Sequence, residues 1–148
     1  MSTVLIVDDD AAVRELIADT LALAGHEVVV TTGGVEALAA IARDVPDCVV
    51  LDVMMPGMSG LDVLDRVRQD PATHTLPVLM LTARVDDVST WQGWKAGADV
   101  YLQKPFDPTH LVSWVDRITA RRAGLAQRRG ADSDLRRLMM DELHLLAS

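Results

Sequence analysis

Apolar and polar residues alternate along the chain in a pattern that predicts five short strands separated by helices. Each predicted strand is a brief apolar run rich in β-branched residues, which is typical of strands buried on both faces. These runs cover residues 4–7, 27–31, 49–52, 78–82 and 100–102. Because strands and helices follow one another in turn, the pattern predicts a parallel sheet with helices on both faces.

The first predicted helix has the clearest periodicity. Its apolar positions fall at helical spacing, Asp9 or Asp10 can act as N-cap, and Gly25 can end the helix. The predicted apolar stripe comprises Val13, Leu16, Ile17 and Leu21. Four more helices are predicted: one opening at Gly33, one ending before Pro71, one over 85–96, and one beginning at Pro108.

Polar residues stand at the carboxyl ends of four of the predicted strands. Asp52 ends a buried strand, where an unpaired carboxylate is costly and usually has a partner or a metal. Carboxyl ends of parallel strands meet at one edge of a sheet, where ligands bind in open α/β folds. We therefore expect one group of neighbours at that edge, namely Asp8, Asp9, Asp52, Thr82 and Lys104.

Length and composition favour one folded domain. The chain has 148 residues, of which 49% are hydrophobic, enough for a sizeable core. We divide it into a main domain over 1–123 and a C-terminal extension over 124–148, predicted to be partly helical. In that extension Leu135, Leu138, Met139, Leu143 and Leu146 form an apolar stripe.

Charge narrows the classes of partner. The net charge is −8; residues 1–116 contain 18 acidic and 7 basic residues, and residues 117–148 contain 4 and 7. Such an acidic domain is not expected to bind nucleic acid directly or to bind anionic membranes. Cys48 is the single cysteine, so no intrachain disulfide can form. The N-terminus lacks a basic region and a long apolar region, which predicts a cytoplasmic protein.

Four separated motifs carry a family resemblance. They are Val7-Asp8-Asp9, Asp52 before Met54-Met55-Pro56-Gly57, Thr82-Ala83, and Lys104-Pro105-Phe106. In this order they resemble the receiver domain of two-component response regulators, over residues 3 to about 121. The resemblance implies a doubly wound, flavodoxin-like sheet of order 2-1-3-4-5. It also implies a bacterial signalling protein, rather than an enzyme with a separate substrate.

The residues and the resemblance together predict a phosphorylation site. Clustered carboxylates repel one another unless a cation joins them, and their hard oxygen atoms suit Mg²⁺. We expect Asp9 and Asp52 as direct ligands. The resemblance adds the backbone carbonyl of Met54 and implies that Asp8 binds the metal directly or through a water. Asp52 is then the phosphoacceptor, while Lys104 and the Thr82 hydroxyl contact phosphoryl oxygens.

The resemblance also implies an output. Phosphorylation would draw Thr82 inward and leave space for Tyr101, changing a surface made by the helix over 85–96, the last strand and the helix after Pro108. The alternative for Tyr101 is a half-buried strand residue without this role. The Lys104–Pro105 peptide is expected to be cis. Trp91 is either an exposed anchor for a partner on this surface or a second core tryptophan.

The expected partners are a sensor histidine kinase or phosphotransfer protein and a downstream protein. If the C-terminal extension dimerises, a second copy of the chain is a further partner in a homodimer. Because 124–148 is too short for a DNA-binding domain of comparable size, we expect a single-domain regulator.

The alternatives are a fragment of a larger regulator, a receiver that binds partners without phosphorylation, and a phosphatase with an aspartyl nucleophile. The phosphatase is disfavoured because residue 54 is Met where such enzymes have a second acid. Acids at 8–10 could also simply favour a helix N-terminus.

Overall fold

The computed structural model of the chain describes residues 2–83 and 97–123. The helix predicted over 85–96, which contains Trp91, and the extension over 124–148 lie outside the described residues. The elements are β1 (Thr3–Val7), α1 (Ala11–Leu23), β2 (Glu27–Thr31), α2 (Gly34–Arg43), β3 (Cys48–Asp52), α3 (Gly60–Gln69), β4 (Val78–Thr82), β5 (Val100–Gln103) and α4 (Pro108–Ala123).

The five strands form one parallel sheet in the order β2-β1-β3-β4-β5. This confirms the predicted doubly wound fold. All residues of β3 and β4 are buried, as expected for inner strands of a sheet covered on both faces. The register places Asp52 opposite Leu81 and Thr82 opposite Gln103. The carboxyl ends of β3, β4 and β5 therefore lie side by side.

Two apolar layers cover the sheet, because successive strand residues point to opposite faces. Leu5 and Val7 of β1 belong to the layer that contains α2 and α3 residues such as Val63. Val4 and Ile6 belong to the opposite layer, which contains residues of α1 and α4. The sheet therefore lies between α2 and α3 on one face and α1 and α4 on the other.

Helix α1 begins as predicted at an aspartate cap. The Asp10 carboxylate accepts hydrogen bonds from the backbone N–H groups of Ala12 and Val13. Ile17 and Leu21 are buried, but Leu16 is 46% exposed, so its predicted place in the apolar stripe is wrong. Adjacent positions on an α-helix differ by about 100°, so residue 16 turns away from the sheet that residue 17 faces. None of the helices in the described ranges is both long and apolar enough to cross a bilayer.

A partly buried ion pair joins α3 to the segment before β5. Arg68 donates to the Asp99 carboxylate at 3.1 Å, to the Gly97 carbonyl at 2.9 Å and to the Leu76 carbonyl at 2.7 Å. The same Asp99 oxygen accepts a hydrogen bond from the Val78 N–H at 2.8 Å. We call this group the Arg68 clamp. It lies where β4 and β5 begin, at the opposite end of the sheet from the carboxyl ends of the strands.

Candidate functional site

The predicted acidic group assembles at the carboxyl edge of the sheet. Asp8 and Asp9 follow β1, and Asp52 is the last residue of β3, the strand beside β1. One carboxylate oxygen from each lies within 4.8 Å of the others. Residues separated by more than 40 positions along the chain therefore meet because two neighbouring parallel strands end together.

Lys104 supplies a positive charge to this group. Its Nζ lies 3.0 Å from Oδ2 of Asp8 and 3.4 Å from Oδ1 of Asp52. Its backbone N–H donates to the Thr82 carbonyl at 2.7 Å, which holds the segment after β5 against the end of β4. We call Asp8, Asp9, Asp52 and Lys104 the acidic rim. With three carboxylates and one ammonium, the rim carries an excess of negative charge.

The three carboxylates differ in how many of their oxygens already accept hydrogen bonds. Asp8 is fully buried and uses both oxygens, one toward the Asp10 N–H at 2.9 Å and one toward Lys104. Oδ1 of Asp52 accepts from the Met54 N–H at 3.3 Å. Oδ2 of Asp52 and the exposed Asp9 carboxylate accept no hydrogen bond from the residues that the structure describes. These are the oxygens left for a cation or an incoming group.

Electrostatics make Asp52 unusual among the acids. Burial, together with repulsion from Asp8, raises the pKa of Asp52 to about 6, despite the opposing effects of Lys104 and the Met54 N–H. For Lys104, burial favours the neutral amine, but the contacts with Asp8 and Asp52 outweigh it and the pKa is raised. The lysine thus stays charged, while the apoprotein destabilises the ionised Asp52 carboxylate.

Gly60 supports Asp52 in a way that sequence reasoning missed. A Cβ atom at position 60 would lie 2.1 Å from the Asp52 carbonyl oxygen and 3.0 Å from Cα of Val53. The Gly60 N–H also donates to the Val53 carbonyl at 2.9 Å. The start of α3 therefore packs directly on the main chain that carries Asp52. The only signal in the sequence was a glycine at the start of a helix.

Thr82 and Tyr101 lie on one face of the sheet. Tyr101 pairs with Met80, and both belong to the layer beneath α2 and α3. Thr82 is two residues beyond Met80 on β4, so its side chain points to that same face. Tyr101 is 3% exposed, and burial raises the pKa of its hydroxyl. It is therefore more deeply buried than the half-buried strand residue considered as an alternative.

The remaining predictions concern Met54, the Lys104–Pro105 peptide and Trp91. Met54 follows Asp52 by two positions, and its side chain is 71% exposed. The Lys104–Pro105 peptide is cis. Trp91 lies outside the described residues, so its two alternatives stay open.

The donor set at the rim fits a small divalent cation. All three groups are carboxylates, the hard oxygen ligands that Mg²⁺ prefers, and exposed Asp9 leaves room for the waters that this ion retains. The excess negative charge gives a cation a reason to bind. The cluster of Asp8, Asp9 and Asp52 is consistent with the Mg²⁺ site of a receiver.

Comparison with known proteins decides the family. The family described as the response regulator receiver domain matches residues 4–116 of the sequence. The chain belongs to the response regulator receiver family. As a receiver it is a signalling module of two-component systems rather than an enzyme.

Longer regulators share this receiver sequence. The phosphate regulon transcriptional regulatory protein PhoB of Pseudomonas aeruginosa is 40% identical over 119 residues, which are 80% of this chain and 52% of PhoB. The response regulator MprA of Mycobacterium ulcerans is 45% identical over 130 residues, which are 88% of this chain and 55% of MprA. The chain spans about half the length of the curated relatives it matches.

Solved receivers share the fold over their whole length. A putative response regulator from Chloroflexus aurantiacus has 48% identity and a TM-score of 0.77, covering 81% of this chain and 98% of that one. The chemotaxis response regulator CheY4 of Vibrio cholerae has 36% identity and a TM-score of 0.76, covering 80% and 98%. Both likenesses agree with the observed strand order.

Proposed function

We propose that the chain is a phosphoacceptor that takes a phosphoryl group on Asp52 from a histidine kinase or phosphotransfer protein. The observation that carries the proposal is the placement of Lys104 between Asp8 and Asp52, with Oδ2 of Asp52 accepting no hydrogen bond from the described residues. Such a carboxylate can attack, and the ammonium beside it can hold a phosphoryl oxygen.

In the proposed step, an Asp52 oxygen attacks phosphorus in a phosphohistidine. A P–O bond forms while the P–N bond breaks, and its electron pair stays on the imidazole nitrogen. Lys104 donates to one phosphoryl oxygen, and the hydroxyl of Thr82 donates to another. Because Asp8 holds Lys104 at 3.0 Å, the ammonium is already in place before the donor arrives.

Mg²⁺ is the proposed cofactor. Asp9 and Asp52 would hold it directly, Asp8 directly or through a water, and the Met54 carbonyl would complete the protein ligands. When bound, it offsets the charge of the carboxylates and of the phosphoryl oxygens. Both carboxylate oxygens of Asp8 already accept a hydrogen bond, one from the Asp10 N–H and one from Lys104, which favours contact with the cation through a water.

The proposed output begins at Thr82 and Tyr101. A phosphoryl group on Asp52 would draw the Thr82 hydroxyl toward the rim, and Tyr101 would follow on the shared face of the sheet. The downstream partner would then bind the surface made by 85–96, β5 and α4. Replacing Tyr101 with Ala should uncouple partner binding from phosphorylation while leaving the adduct on Asp52.

The first experiment is to incubate the protein with Mg²⁺ and acetyl phosphate and to measure its intact mass. One added phosphoryl group is expected in the wild type and none in Asp52→Asn. The matched control is Asp65→Asn, which removes an exposed acid from α3 and should keep the adduct. Donor hydrolysis is followed in parallel, so that a short-lived adduct appears as Asp52-dependent turnover.

An adduct that persists in Asp52→Asn would show that another residue accepts the group. Neither adduct nor Asp52-dependent hydrolysis in the wild type would favour a receiver that binds partners without phosphorylation.

Three wider expectations stay predictions: a single-domain protein, a cytoplasmic location and a homodimer. The mass of the protein in its native cells tests the first, fractionation of those cells tests the second, and analytical ultracentrifugation with and without acetyl phosphate tests the third.

A further inference from the structure

Arg14 reaches back from α1 to the main chain of the acidic rim. One terminal nitrogen of its guanidinium donates to the Asp8 carbonyl oxygen at 2.9 Å, six positions earlier in the chain. Arg14 is partly buried, and Asp8 is fully buried. A guanidinium at the rim therefore contacts a backbone oxygen rather than a carboxylate.

This contact completes a set of bonds that hold the Asp8–Asp10 segment. The Asp10 N–H and Lys104 occupy the two carboxylate oxygens of Asp8, and Arg14 occupies its carbonyl oxygen. Asp10 is held in turn as the N-cap of α1. Asp9 lies between these two held residues, and its exposed carboxylate accepts no hydrogen bond from the described part of the chain. The direction of the Asp9 carboxylate thus depends on the main chain on either side of it.

We infer that Arg14 is a positioning residue for the cation at the acidic rim. It holds the main chain after β1 so that Asp8 and Asp9 present their carboxylates toward Asp52. Groups that orient metal ligands typically change metal affinity by about 10–100-fold when they are removed. The inference rests on the proposed phosphoacceptor site, because it assumes that the rim binds Mg²⁺.

Charge and orientation make opposite predictions for the loss of Arg14. A guanidinium near the rim repels a cation, so removing its charge alone should leave Mg²⁺ affinity unchanged or increase it. Loss of orientation should weaken binding, because the ligands must then be ordered by the ion itself. The sign of the change in affinity separates the two roles.

The test is calorimetric titration of the full chain with Mg²⁺ alone. Arg14→Met, which keeps the length but has no donor, should raise the Kd about 10-fold or more. Arg14→Lys, which keeps both a donor and the charge, should recover part of this loss. Arg43→Met is the matched control: it removes an exposed arginine from the last turn of α2 and should leave the Kd within about twofold of wild type.

A second measurement separates positioning from a general effect on folding. In the acetyl phosphate reaction, Arg14→Met should raise the half-saturating Mg²⁺ concentration by about the same factor as it raises the Kd. The rate at saturating Mg²⁺ should stay within about twofold of wild type. Circular dichroism in each titration verifies that the variant is folded. A loss of folded protein would instead reduce the measured number of sites without changing their affinity.

If Arg14→Met binds Mg²⁺ as tightly as the wild type, or more tightly, the positioning role is overturned while the phosphoacceptor site stands. If the wild type itself neither binds Mg²⁺ nor forms the Asp52 adduct, the proposed function fails and the inference fails with it. The two failures are therefore distinguishable.

Discussion

The acidic rim and the Arg68 clamp are built from the same kinds of group at opposite ends of the sheet. Among the described residues of the clamp, one guanidinium meets one carboxylate, and the Asp99 oxygen also accepts a backbone hydrogen bond. In the rim, one ammonium faces three carboxylates, and the pKa of Asp52 is raised to about 6. The clamp balances charge and joins α3 to β5, whereas the rim leaves an excess of charge that a ligand can offset. Charge balance, rather than the mere presence of buried ions, separates the structural pair from the candidate site.

The largest expected effect is the loss of the clamp. Arg68→Met should lower the free energy of unfolding by about 3–5 kcal/mol, because the buried Asp99 carboxylate would lose the guanidinium that pairs with it. Urea unfolding measures the change, and Arg66→Met, an exposed neighbour on α3, is the control, expected within about 0.5 kcal/mol of wild type. Equal effects in the two variants would mean that the clamp is not a stabilising feature.

Removing a charge from the acidic rim should have the opposite effect on the free energy of unfolding. Asp52→Asn should raise the stability of the metal-free protein by up to about 3 kcal/mol at pH 7.5, because it removes a carboxylate whose ionised form the fold disfavours.

The sign follows from the raised pKa of Asp52. The folded protein holds this proton up to a pKa of about 6, whereas the ordinary value is 3.8. The cost of ionising Asp52 is therefore absent below the lower value, grows as the pH rises between the two, and is complete above the upper one. Urea unfolding in EDTA from pH 4 to 7.5 should show the advantage of Asp52→Asn growing over that window. A constant difference across the window would contradict it.

Gly60→Ala should affect stability and chemistry together. The new Cβ would meet the Asp52 carbonyl oxygen, so we expect a loss of about 1–3 kcal/mol and slower adduct formation with acetyl phosphate. Arg68→Met, in contrast, should lower stability while the molecules that remain folded still form the adduct. If Gly60→Ala keeps the stability and the rate of adduct formation of the wild type, the close approach of residue 60 to the Asp52 carbonyl is not important.

The smallest expected effect is stabilisation by the cation. Mg²⁺ at ten times its Kd should raise the free energy of unfolding of the wild type by about 1.4 kcal/mol. The gain should be much smaller in Asp52→Asn, because one carboxylate ligand is lost, and unchanged in Arg66→Met. Thermal unfolding with and without Mg²⁺ measures both, and an equal gain in Asp52→Asn would place the cation elsewhere.

Local patterns predicted much of what the structure contains. Short β-branched runs marked all five strands, and the aspartate cap and Gly25 marked the ends of α1. Sequence patterns failed where two elements meet. Leu16 fitted the helical period of α1 but lies beside the buried face. No local pattern indicated that Gly60 touches the Asp52 main chain.

The sequence by itself determined the order of strands and helices, and with it the meeting of Asp8, Asp9, Asp52 and Lys104, because parallel strands bring their carboxyl ends to one edge. Only the tertiary structure decided which oxygens of those carboxylates are already occupied, that Arg14 holds the Asp8 carbonyl, and that Arg68 pairs with Asp99 across 31 positions. The spacing of apolar residues along the sequence shows which face of a helix or strand is apolar. The contacts between side chains of different elements depend on distances of a few ångströms, which are set when the helices pack on the sheet.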